Sequence, residues 1–103
     1  MHIAKTPEPP YYAVIAPAVL SADVSGHAEL AARLIEYAPA IEGFLGIEAC
    51  IQGSFLLAVS YWRSLEAIES WRSNARHLLA KDTAKARWFE SFFTPSALVE
   101  HDY

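Results

Sequence analysis

The sequence predicts an α+β fold with the element order βαββαβ, an antiparallel sheet covered by helices on one face. Three observations carry the prediction. Tyr11–Leu20 and Phe55–Trp62 are apolar on both alternating faces and rich in strand-favouring residues, the pattern of strands buried on both sides. Ile47, Ala49 and Ile51 alternate with Glu48, Cys50 and Gln52, and Gly53-Ser54 then supplies a two-residue hairpin signal into the next strand. Residues 27–38 and 65–88 instead space their apolar positions by three and four, as helices do.

Taken in order, Lys5–Pro10 holds three prolines and reads as a mobile or extended arm. Tyr11–Leu20 is the first strand. Pro17 has no N–H to donate, so the strand should end, bulge or lose a partner near it. After the polar break Ser21–Gly26, Leu30, Leu34 and Ala38 fall on one helical face with Ala31 and Ile35 beside them, and Pro39 ends that helix. Gly43–Gly46 reads as a turn into the second strand, Ile47–Gln52, whose Glu48 is expected at an edge facing water. Ser64 suits an N-cap, with Glu66 and Glu69 near the positive end of the helix Leu65–Trp71. Ser73-Asn74 is expected to break that helix before a second stretch, roughly Ala75–Trp88, that turns Ala75, Leu78, Leu79, Ala86 and Phe89 toward a core. A last strand over Ser91–Val99 should be interrupted at Thr94-Pro95-Ser96.

This order is the ferredoxin-like, or split βαβ, arrangement, whose helices cover one sheet face. With strands apolar on both faces and 53% of the chain hydrophobic, 103 residues leave nothing to cover the second face. A partner's sheet is the expected cover, giving a homodimer.

The charge balance of -4 lacks the basic face that phosphate binding needs, so a nucleic-acid partner is not expected. Bases are concentrated between Arg63 and Glu90, which reads as a solvated helical surface or the rim of a site for an anionic or electron-rich ligand. No apolar run reaches the roughly 18 residues that span a bilayer, so no membrane partner is expected. One cysteine, Cys50, makes no intramolecular disulfide and has no basic neighbour to activate it, so a cytoplasmic location is the default. GxGxxG, P-loop, CxxC and HExxH patterns are absent, and no metal site is expected.

GFLGIE at Gly43–Glu48, SYWRSLEAIESW at Ser60–Trp71, a histidine at His77 and the tail WFESFF…LVEHDY together resemble the antibiotic biosynthesis monooxygenase superfamily of dimeric α+β barrels. The resemblance covers nearly the whole chain after Tyr11. A length of 103 residues suits a single domain over residues 1–103, with residues 1–10 as an extended arm, and the resemblance implies a pocket between the sheet and the helices. It also implies a cofactor-independent monooxygenase of a small phenolic, quinol or polycyclic aromatic substrate. Haem-degrading members of the superfamily carry an asparagine in the first strand and an iron-ligating histidine ten residues after the pocket tryptophan. Here Tyr11–Leu20 holds no asparagine, and the position ten beyond Trp71 is Lys81, so haem is disfavoured and no cofactor is expected.

In that frame Trp71 stands at the family's pocket tryptophan, and Trp62, Trp88 and Tyr61 are further candidates to sandwich a flat aromatic ligand. Tryptophans also simply pack cores. His77, with a pKa near neutrality, is the candidate base toward a phenol, or else a hydrogen-bonded structural residue. Arg72 is the candidate charge stabiliser or a solvated cation, and Asn74 a substrate-orienting amide or a helix cap. The chemistry needs little more than this. Triplet oxygen reacts slowly with closed-shell molecules, but a deprotonated, electron-rich aromatic can pass it an electron inside a dry pocket. Trp71 and His77 are expected to border one cavity, the chain turning after Trp71, with Trp62 and Trp88 mainly supporting it. A dimeric barrel that binds a small apolar ligand without chemistry is the alternative.

Overall fold

The computed structural model describes residues 3–20, 36–80 and 89–103, with side chains for residues 3–19, 36–75 and 93–103. Five strands and a helix organise them: β1 (Tyr11–Leu20), β2 (Phe44–Gln52), β3 (Phe55–Trp62), α1 (Leu65–Ala80), β4 (Phe89–Phe92) and β5 (Ser96–Val99). Of the predicted helix His27–Ala38, residues 36 and 37 are helical and Ala38–Ala40 form a 3₁₀ turn; the rest of that prediction, with Trp88 and Lys81, lies outside the described residues. The sheet is antiparallel throughout, ordered β2-β3-β1-β4, with β5 also paired to β1. This is the α+β, ferredoxin-like order expected.

Pro17 explains the split of the last strand. Ile15 N–H donates to the Pro95 carbonyl at 3.0 Å and Phe93 N–H donates to the Pro17 carbonyl at 3.1 Å, so the odd residues of β1 turn their backbone groups away from β3. The missing N–H of Pro17 therefore falls on the β4/β5 side. There β4 pairs Ala18–Leu20 and β5 pairs Tyr11–Val14, with the interruption between them opposite the proline. On its other side β1 stays in register with β3 through Pro17, which faces Leu57.

Two expectations about β2 and the helix are corrected. The strand starts at Phe44 rather than Ile47, because the turn is completed by Gly43 alone; Phe44–Gly46 joins the ladder through a register shift. Gly43 has φ +95°, and a Cβ there would lie 2.7 Å from Cβ of Ala67, so both backbone and packing demand glycine. The helix does not break at Ser73-Asn74: α1 runs unbroken to Ala80. Its start is as expected, the Ser64 hydroxyl accepting the Ala67 N–H at 3.1 Å.

Period two sorts the sheet into two faces. Tyr12, Val14, Ser60, Trp62 and Phe44 face α1, where Val14, Trp62, Ala67, Ile68 and Ala38 form the buried core and Tyr12, Ile41, Phe44 and Trp71 pack against it. Tyr11, Ala13, Ile15, Leu57, Val59, Tyr61 and Glu48 lie on the opposite, outer face.

Candidate functional site

On the helix side the centre is Trp62, wholly buried at the end of β3. Its Nε1–H donates to the hydroxyl of Ser60 at 2.8 Å, two residues back on the same face, so the indole's polar atom is satisfied inside the core. Phe44 meets it edge-on at 5.3 Å and 76°. Trp71, half-buried on the sheet-facing side of α1, stands 5.7 Å from it at a tilt of 48°. Trp62 thus forms the back of an aromatic wall whose front member, Trp71, reaches solvent. Such a wall gives broad, rigid apolar contact to a flat ligand.

The other helix candidates fall into different places. Arg72 is half-buried and its guanidinium donates to the Thr94 carbonyl and, at 3.0 Å, to the Ser96 hydroxyl, tying α1 to the junction of β4 and β5. Asn74 donates from Nδ2 to the Ser70 carbonyl one turn back at 2.8 Å. It sits inside the helix, so the cap expected of it is overturned. His77 belongs to α1, but its side chain lies outside the described residues, as does Trp88. Because α1 is continuous, no chain turn follows Trp71; residues 71 and 77 lie about 9 Å apart along one axis and about 120° apart around it.

Tyr61 is separated from Trp62 and Trp71 by the sheet itself. On the outer face its hydroxyl donates to Glu48 Oε1 at 2.7 Å, while Glu48 Oε2 accepts the Ala4 N–H at 3.0 Å. Glu48 is therefore half-buried and twice bonded, not the water-facing edge acid expected. Tyr11 meets Tyr61 edge-on at 6.0 Å and donates to Asp102 Oδ2 at 2.9 Å. The hydrogen bond to Glu48, then burial, then the Glu48 charge push the Tyr61 phenol from 10.0 up to about 12. This phenol holds its proton at any ordinary pH. It is a donor and an anchor, not a base.

The Glu48–Tyr61 pair escaped the sequence reading, although its signal was present. A hairpin closed at Gly53-Ser54 sets Gln52 opposite Phe55, hence Glu48 opposite Val59 and Gly46 opposite Tyr61. Glu48 and Tyr61 are then diagonal neighbours on one face, within reach of long side chains.

No family model matches the chain. It is 40% identical over 99 residues to the uncharacterized protein YqjZ of Bacillus subtilis, covering 95% of this chain and 87% of that protein. Among solved structures, a variant of SnoaB, a cofactor-independent oxygenase from Streptomyces nogalater, superposes with a TM-score of 0.72 at 10% identity, covering 89% of this chain and 95% of that one. A candidate antibiotic biosynthesis monooxygenase from Chloroflexus aurantiacus superposes at 0.68 with 14% identity, over 90% of this chain and 96% of that one. Rv0793 from Mycobacterium tuberculosis superposes at 0.67 with 19% identity, over 90% and 96%. The chain belongs to the family of YqjZ, and its fold is that of the antibiotic biosynthesis monooxygenases.

Proposed function

We propose that this protein is a cofactor-independent monooxygenase of a small phenol, quinol or polycyclic aromatic. The observation that carries the reading is the tilted Trp62–Trp71 pair, on a fold shared with the oxygenase SnoaB. An apolar aromatic wall binds the flat substrate and excludes water, and exclusion of water favours electron transfer from a phenolate to oxygen over competing proton transfers. In this reading Arg72 lends positive charge near the wall, Asn74 orients the substrate oxygen, and His77, about 9 Å beyond Trp71 and about 120° round α1, takes the phenolic proton from a substrate long enough to reach past the wall. The functional unit is a homodimer joined through the outer sheet face. Support comes from Ile15 and Phe55, 40% and 45% exposed there beside half-buried Leu57 and Val59. The lone free Cys50 suits the cytoplasm.

The test is a binding and turnover screen of the purified chain with quinols, polycyclic phenols and haem. Tryptophan fluorescence reads binding, and oxygen uptake without added cofactor reads turnover. A quinol or phenol should bind and consume oxygen, and haem should not saturate. His77→Ala should lower kcat, and Trp71→Phe should mainly weaken binding. Binding without oxygen uptake would make the protein a small-ligand-binding barrel, and tight haem binding lost in His77→Ala would reverse the cofactor assignment.

A further inference from the structure

Residues 3–10, before β1, carry no helix or strand, yet they are fastened to the outer sheet face at Ala4. Ala4 donates its N–H to Glu48 Oε2 at 3.0 Å. Its side chain fills a notch that exists because residue 46 has none: a Cβ on Gly46 would lie 2.7 Å from Cβ of Ala4. The Glu48 carboxylate is in turn held in place by the Tyr61 hydroxyl at 2.7 Å. Elsewhere in residues 3–10 only Thr6 and Pro9 are half-buried. Ile3 is 84% exposed, and Lys5, Pro7 and Glu8 are exposed as well.

We propose that residues 3–10 form a latched strap over the Tyr11–Tyr61 end of the outer face, with Gly46 and Glu48 as its seat. The seat selects on two counts. Ala4 Cβ occupies the space that a Cβ on Gly46 would need, and the Glu48 carboxylate accepts a backbone N–H at that same residue, which a proline would lack. Among the described residues one charge-assisted hydrogen bond and the Ala4 methyl contact fasten the strap, with Thr6 and Pro9 half-buried besides, so it opens without disturbing the ladder between β2 and β3. Opening exposes the Glu48 carboxylate and the Tyr61 phenol. The inference does not depend on the oxygenase reading.

Trypsin reports the latch, because Lys5 precedes Thr6 and a protease must draw residues on both sides of the scissile bond into its cleft. Cleavage after Lys5 therefore requires Ala4 to leave its seat. In the folded chain this cut should be slow. Gly46→Ala, which puts a methyl group where Ala4 sits, and Glu48→Ala, which removes the acceptor, should each speed it by roughly tenfold or more, the factor carried by one lost hydrogen bond to a charged group. Neither change alters the cleaved sequence. Combining Gly46→Ala with Ala4→Gly should restore slow cleavage relative to Ala4→Gly alone, since the two methyl groups compete for one space. Should Gly46→Ala fail to fold, Glu48→Ala decides the matter by itself. Unchanged cleavage rates in folded Gly46→Ala and Glu48→Ala, or no rescue in the double variant, would overturn the strap.

Discussion

Replacing Ser60 by alanine removes one oxygen from the core and leaves the Trp62 indole N–H without its acceptor. Ser60 is 4% exposed and Trp62 wholly buried, so water cannot reach the orphaned donor. Their 2.8 Å bond is the only one recorded for that N–H among the described residues. Leaving a buried donor unsatisfied costs about 1–3 kcal/mol, and the methyl group of alanine recovers little of it. For a domain of this size each kcal/mol moves Tm by about 4–8 °C, so Ser60→Ala should melt roughly 4–24 °C below the parent. Chemical and thermal unfolding followed by tryptophan fluorescence would read the change, at one fixed protein concentration because assembly shifts Tm by mass action. Trp62→Phe supplies the control. It costs stability through lost volume, but it has no N–H, so in that background Ser60→Ala should cost close to nothing. A coupling of about 1–3 kcal/mol in the double-mutant cycle is expected. Equal effects of Ser60→Ala in both backgrounds, or a loss under about 0.5 kcal/mol in the parent, would show that the bond does not secure the aromatic wall.

Two further outcomes follow from the outer face. Tyr61 should ionise near pH 12, with that step absent in Tyr61→Phe and moved down in Glu48→Gln; tyrosinate absorbance during alkaline titration reads it. Because the folded pKa lies above the unfolded one, the pair's contribution to stability is whole below about pH 10 and is lost as pH rises through about 12, so a flat stability profile across that window would contradict the pairing. Leu57→Asp places a charge among Ile15, Val59 and Pro17 on the face proposed to meet a second copy, and light scattering should show the dimeric mass reduced to a monomer's or the chain unfolded. A monomeric parent at micromolar concentration would refute the dimer itself.

Much of the frame was legible because its causes are local. Continuous apolar runs set the bounds of β1 and β3 at the residues where the structure has them, and Gly53, with φ +62° before Ser54, turns the hairpin as the two-residue signal implied. The hydroxyl of Ser64 caps α1 within three residues of itself. From the hairpin register alone, Ser60 must share a face with Trp62, and Tyr61 must turn away from both. The helix break read at Ser73-Asn74 failed because it rested on weak local propensity. Packing of Ile68 and Trp71 against the sheet, with Asn74 bonding back to Ser70, carried the helix through.

What the tertiary structure alone decided joins residues far apart in the chain. Arg72 finds Thr94 and Ser96, 22 and 24 residues on, and Ala4 finds Glu48, 44 residues away. A periodic pattern states which face a side chain takes but not which distant segment will lie across it. That choice depends on how the helix and the chain's two ends settle against the finished sheet. A guanidinium that reads as a solvated cation becomes the tie of α1 to β4 and β5 because a carbonyl and a hydroxyl arrive beside it. In the same way, a carboxylate expected in water becomes the anchor of a strap, since a phenol and a backbone amide reach it once the hairpin and the arm have closed around it.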